Sequence, residues 1–345
     1  MPPSFFAKLP EPGIIAGLTA RLSMSRTLSS SLEEKRPTFA FLRRIRDHPK
    51  FSPSFLARSL GEGQYEKVVT TDGETITKLV DEWAKEWLED THGDEEVEKR
   101  LEGMVEEVVW GNVIWFGVGG WHARGTSGRP FNADFFVCVW SLLLDCPKLK
   151  YLTNSAHLLT SAIFLCTVVL PSHNAPYSPV PLSSRVTLLK SYLATCAGWY
   201  ISRGNAALPI KDFYNATTDR LTAPPAVPVP PSAPRKPLMA PGGPWERIIV
   251  NTVANPDEHL PKAVRSLTTF ATRWGGRPAG YYAGGGEKGL EERDVLDGTL
   301  FVRIASLTLD RLGWAHESGK GLGRWDRDGF PESSSGGSGV DSPYL

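Results

Sequence analysis

The sequence predicts a mainly α fold: an irregular multi-helix domain with a Pro-rich loop between two helical blocks. Three observations predict it. Apolar residues recur at helical spacing over long stretches, no convincing run of alternating strands is present, and a proline-dense segment divides the periodic stretches. No repeat of 20–50 residues is detectable, so a solenoid or propeller is excluded.

The first helix predicted in detail follows Thr71-Asp72-Gly73-Glu74, which fits a capping box, with Ile76, Leu79, Val80, Trp83 and Trp87 behind it. Asp94 is positioned to cap a second helix that carries Val97, Leu101, Met104, Val105 and Val108 on one face. An apolar helix spans His157–Leu170, and another runs from about Ser184 to Arg203, stopped by Gly204. Residues 223–244 (APPAVPVPPSAPRKPLMAPGGP) cannot be helix or central strand, because proline removes donors and fixes φ. Beyond them, helices are expected over Ala263–Trp274 and Val295–Leu312, each ending at a glycine. The expected organisation is a poorly defined segment 1–30, a helical block 31–222, the Pro-rich loop 223–244, a second block 245–330 of the same domain, and a disordered tail 331–345.

Composition narrows the function. The chain has 345 residues, 41% of them hydrophobic, and equal numbers of acidic and basic side chains. Zero net charge argues against nucleic acid as a partner; Arg43, Arg44 and Arg46 stand alone on a helix and face solvent. The four cysteines, Cys138, Cys146, Cys166 and Cys196, form no C-x-x-C pair and read as free thiols in a reducing compartment. The longest apolar run, Ala162–Leu170, falls far short of the roughly 20 residues that span a bilayer. Arg21 and Arg26 among serines weakly suggest a transit peptide, but Glu11 and the early prolines oppose it. The expected location is cytoplasmic.

Histidines are the natural carriers of chemistry. His48, His92, His173 and His316 lie in polar, turn-like contexts that suit solvated loops, while the glycines around His122 would let backbone approach a ligand. His157 opens an apolar helix with Thr160 and Ser161 on its face, either as a satisfied core residue or as a metal or substrate ligand. His259 and Lys262 stand three apart after Asp257 and Glu258, and Pro261 leaves the helix start open. They read either as a surface salt-bridge cluster or as a ligand with a basic neighbour. Lysine joins a metal site only as the neutral amine or after carboxylation, because the ammonium has no lone pair. Gly284–Gly289 formally matches G-x-G-x-x-G, but no strand precedes it, so it is not a dinucleotide fingerprint.

Five segments together resemble the fungal questin oxidase-like family: RPTFAFLRRIRDHPKF, FNADFF followed by HLLTSAIFL, LLKSYLATCAGWYISRG, PDEHLPKAVRSL, and LTLDRLGW…GRWDRDGF. The resemblance covers about residues 30–330 in the family's order. It implies an oxidoreductase, in part Baeyer–Villiger-type monooxygenases, that uses molecular oxygen on anthraquinone- or xanthone-type polyketides in secondary metabolism and mycotoxin biosynthesis. It implies non-haem iron, suited to imidazole ligands with open positions. NADPH also accompanies the family, although the sequence shows no nucleotide site. The positions that match are His157, His259 and Lys262 as metal ligands, with Asp134 and Lys262 in catalytic roles, Asp134 orienting a ligand.

Two departures bear on activity. The family carries histidine-rich segments near its N-terminus, whereas no histidine precedes His48 here. The family also joins DFF directly to its histidine, whereas residues 138–155 intervene between Val137 and Ala156. Removing those eighteen codons restores FNADFFVAHLLTSAIFL in frame, the signature of a retained intron. The rival expectation is therefore a truncated or mis-spliced, inactive relative that at most binds ligand.

Overall fold

A computed structural model of the chain describes residues 36–52, 64–119, 121, 158–170, 180–202, 204–221, 243–284 and 289–316. Asp134, His157, His122, His173, the insert 138–155, nearly all of the Pro-rich loop and both chain ends lie outside them. The described residues form nine α-helices and no strand, so the chain is mainly α. These are α1 (Pro37–Asp47), α2 (Gln64–Leu88), α3 (Asp94–Gly117), α4 (Leu158–Val169), α5 (Leu182–Ser202), α6 (Ile210–Ala216), α7 (Pro244–Ala254), α8 (His259–Trp274) and α9 (Leu300–Leu312).

The core is built around α3. From Met104 to Gly117 every residue is buried, so this helix is enclosed on all sides and not only on the predicted face. Its exposed first turn carries Asp94, Glu95 and Glu96, favourable against the helix dipole. Asp94 is the first helical residue; Gly93, at φ 97°, precedes it without a side-chain cap. α1, α4 and α5 pack on α3, and α7, α8 and α9 pack on one another. Helices from before and after the Pro-rich loop thus share one core, with α8 packed on α4.

Several boundaries differ from those expected, for reasons of packing. Thr71 and Glu74 lie inside α2, which begins at Gln64. Tyr65 stacks on Trp199 of α5 with ring centroids 4.4 Å apart, and Val68 is buried, so tertiary contact extends the helix past a local start signal. Pro244 belongs to α7, where it sits in the first turn and its missing N–H costs nothing. The expected helix Val295–Leu312 is broken: a 3₁₀ turn at Arg293–Val295 precedes α9, and Asp297 Oδ1 accepts the Thr299 N–H at 2.9 Å to restart it. Arg43, Arg44 and Arg46 do not stand alone. Arg44 pairs with Glu86 (2.7 Å), and Arg43 and Arg46 both reach Glu291 (3.2 and 2.6 Å).

The Gly204 stop behaves as the sequence suggests. Gly204, at φ 105°, donates to the Ile201 carbonyl, and Asn205 donates to that of Tyr200, closing α5 in a Schellman motif. Asn205 itself takes φ 47° and turns its Nδ2 onto the carbonyls of Ile45, Arg46 and Phe51 (3.3, 2.9 and 2.8 Å). One side chain thereby satisfies the orphan acceptors where α1 ends. Cys166 and Cys196 are free thiols whose pKa values burial pushes up to about 11 and about 12, leaving them unreactive.

Candidate active site

The directions of the helices decide what meets what. Arg185 Nη1 ties Glu98, in the first turns of α3, to the Val169 carbonyl at the end of α4 (2.7 and 3.0 Å). Farther along α3, Asn112 Nδ2 donates to the Tyr192 hydroxyl (3.0 Å), which lies 3.5 Å from Ser161 Oγ in the opening turn of α4. α4 therefore runs antiparallel to α3. α9 climbs beside α3, with Phe301 against Trp110 (4.8 Å) and Ile304 against Gly117. Arg273 of α8 reaches Glu102 (3.4 Å), while Phe270, a turn earlier, meets Phe301 (6.5 Å). α8 is thus parallel to α4, and the first residues of both lie toward the end where α3 finishes.

At that end the helix start is resolved: α8 begins at His259, Pro261 sits within its first turn, and His259 and Lys262 share the helix. His259 is buried, with 8% of its surface exposed. Asp257 Oδ1 receives the His259 backbone N–H at 2.9 Å and lies 3.0 Å from Nδ1. Asp257 is held in turn by its own N–H to Asn255 Oδ1 (2.9 Å), and Asn255 Nδ2 bonds the Gly313 carbonyl (3.3 Å). A carboxylate only accepts, so it places the neutral imidazole proton on Nδ1 and the lone pair on Nε2, the arrangement of a metal-ligating histidine. Nε2 is 3.8 Å from Glu258 Oε1, and Lys262 Nζ is 3.4 Å from Glu258 Oε2. An ammonium in that pair has no lone pair to offer a metal. Among the described residues, no group of three or more His, Cys, Asp or Glu side chains is placed to hold a metal ion. His259 is fit to give one donor, and a complete set does not form from these residues alone.

Ser161, on the α4 face predicted to matter, is buried and points to the Tyr192 hydroxyl, which also accepts from Asn112. The Cys196 thiol lies within hydrogen-bonding reach of both. Burial pushes the Tyr192 phenol well above its ordinary pKa, so it stays protonated.

Sequence reasoning missed a second polar centre. Glu106 and Glu107 are adjacent and buried in the middle of α3. Arg277 grips Glu106 through Nε and Nη2 (2.8 and 2.6 Å), and the Tyr282 hydroxyl donates to Glu106 Oε1 (2.7 Å). Glu107 faces Arg36 Nη1 (3.4 Å) and accepts the Thr38 N–H (3.2 Å), capping α1 from a distance. Arg36 also donates to the Tyr281 carbonyl (2.6 Å) and lies over the Tyr281 ring. Burial raises the Glu107 carboxyl to about 7 against the pull of Arg36. The signal available was two acids inside an otherwise apolar run, Val105–Val109; their partners lie about 70 and 170 residues away.

Of the other histidines, those among the described residues (His48, His92 and His316) behave as loop residues. His48 Nδ1 accepts the Lys50 N–H (3.3 Å) and its ring lies on Phe51, and the His316 N–H bonds Asn251 Oδ1 (2.9 Å). Of the glycine motif only Gly284 and Gly289 lie among the described residues; both adjoin Arg293, whose guanidinium binds the carbonyls of Ala283, Gly284 and Leu290. No helix among the described residues is long and apolar enough to cross a membrane.

No match is found among curated proteins or among solved structures. One family model does match, over a stretch that includes His157, His259 and Lys262 but not Asp134. Residues 150–267, holding α4 to α7 and the first half of α8, match the model of the family described as Questin oxidase-like, to which the sequence motifs also point.

Proposed function

We propose that this chain is an oxidoreductase of the questin oxidase-like type, acting with molecular oxygen on a fungal aromatic polyketide of the anthraquinone or xanthone kind. The observation that carries the reading is the family match across both histidine motifs, on helices α4 and α8 whose starts lie toward one end of the bundle. In this reading His157 and His259 hold a non-haem iron, Asp134 orients a ligand, and Lys262 tunes the charge beside Glu258. Bound iron supplies activation of oxygen beside the substrate. Asp257 holds the proton on His259 Nδ1 and, through Asn255, anchors the imidazole to the end of α9. The remaining donors come from residues outside the described ones.

A second reading, an inactive relative that at most binds ligand, is favoured by the insert 138–155 and by the start of the family match at residue 150, downstream of the FNADFF segment. Metal analysis of the purified full chain separates the two. Stoichiometric iron that disappears in His157→Ala or His259→Ala supports the oxygenase. Metal-free protein from every preparation, iron-supplemented cultures included, supports the inactive relative. NADPH use that depends on substrate and survives chelation would replace iron with a nicotinamide mechanism. A mature transcript in which codons 138–155 are absent establishes the insert as a retained intron, and messages that read through them overturn it.

A further inference from the structure

We infer that the cavity between α2 and α5 is a binding site for a neutral aromatic molecule carrying two outward hydrogen-bond donors, such as a diphenol. The cavity measures about 580 Å³, inside the range of roughly 300–1,000 Å³ typical of small-molecule sites. It contains neither His259 nor Lys262, and the inference stands apart from the oxidation proposed above.

Charge sets the first requirement. None of the described residues that line the cavity is ionised at neutral pH. A charged ligand would give up hydration there with no countercharge to replace it. Shape and surface set the second. Ile76 and Tyr192 form a buried floor, and Val69 and Leu188 add apolar wall, so a flat hydrophobic body is the natural occupant. The Tyr65 ring, already stacked on Trp199, extends that aromatic surface.

Two of the hydroxyls that line the cavity, one on each helix, set the third requirement. Thr77 on α2 donates its proton to the Gly73 carbonyl (2.8 Å), and Thr187 on α5 donates to that of Ser183 (2.9 Å). With their protons committed, these two oxygens present only lone pairs. α2 and α5 run antiparallel, Tyr65 meeting Trp199 at one end and Asp81 meeting Lys190 (2.5 Å) toward the other. Thr77 and Thr187 therefore line the cavity from different helices, offset from each other along the helix axes by roughly 1.5 Å for each of about five residues. A ligand that satisfies both must donate in two directions; an ether or quinone carbonyl cannot.

Calorimetric titration of the full chain with three probes of one shape tests this: a naphthalenediol, its dimethyl ether, and the naphthalenedisulfonate of the same substitution. The expected result is one diol per chain, the ether bound about tenfold more weakly for the loss of two donors, and the disulfonate weaker still. Thr77→Val and Thr187→Val, both at exposed positions, should each weaken the diol about fivefold and leave the ether unchanged. Thermal melts identify a variant that fails to fold, and the other variant then carries the test. Equal affinity for diol and ether, tight binding of the disulfonate, a diol indifferent to both substitutions, or no binding of any probe would each overturn the inference. Because binding is read without turnover, a chain that takes the diol but oxidises nothing counts against the proposed function alone.

Discussion

Glu107 offers a quantitative test of whether burial or ion pairing governs the centre of α3. Its carboxyl stands at about 7 against an ordinary 4.5, because burial outweighs Arg36 at 3.4 Å and the Thr38 N–H. A folded-state pKa above the unfolded value means that the native protein binds the extra proton. The associated stability is therefore fully present below pH 4.5 and is lost as pH rises through 7. The difference corresponds to about 3 kcal/mol. Glu107→Gln keeps the shape and the oxygen that accepts from Thr38 but cannot titrate. Urea unfolding of both proteins at intervals from pH 4.5 to 8 should show the variant gaining about 3 kcal/mol relative to wild type across that range. Any constant penalty for leaving Arg36 without its anion cancels from this comparison, since arginine stays charged throughout. Parallel pH profiles, or a variant that loses ground as pH rises, would show that the Arg36 pair dominates and that the burial argument is wrong.

Other outcomes follow from the geometry. Gly117→Ala places a methyl 2.2 Å from Ile304 Cδ1, in a core with nowhere to move, and should cost about 1–3 kcal/mol in urea unfolding. Ile304→Ala in the same chain should recover part of that loss. Asn205→Ala removes the donor shared by three carbonyls at the end of α1 and strains φ 47°, so a loss of about 2 kcal/mol is expected, with the same denaturation assay as its check. Asp257→Asn replaces the acceptor that fixes the His259 tautomer, and should lower iron affinity by about 10–100-fold if His259 is a ligand, measured by competition with a chelator. Unchanged affinity would remove His259 from the metal site.

Much of the helical frame was legible because long amphipathic or apolar runs have one physical solution. Ile76, Val80, Trp83 and Trp87 on α2, and Leu189, Leu193 and Ala197 on α5, are buried as their spacing requires. What failed were start signals that tertiary contact overrides. Thr71 through Glu74 has the chemistry of a cap, but Tyr65 and Val68 carry α2 beyond it. Sequence alone does not show that Asp297 accepts the Thr299 N–H and makes a turn that separates Val295 from α9. At the candidate site, the shared helix of His259 and Lys262 was visible, but the carboxylate that orients His259 was read only as a charged neighbour. Asp134 and His157 rest on family resemblance, and both lie outside the described residues. Glu106 and Glu107 escaped notice because a buried charge is recognised by its partner, and no local pattern announces a partner 70 or 170 residues away.

The two adjacent glutamates also constrain the order in which the chain takes its final form. α3 is made early, yet more than half of it consists of residues that must be enclosed, and one of those, Glu106, carries a carboxyl group whose arginine arrives only later. Arg36 precedes α3, but Arg277 and Tyr282 are synthesised long after it, beyond the Pro-rich stretch. A nascent chain that ends before residue 277 holds Glu106 without its cation, so the middle of α3 cannot close over it without a large desolvation cost. The first helical block is thereby kept waiting for the second, and a fragment comprising the first block alone lacks the arginine that closes its own core.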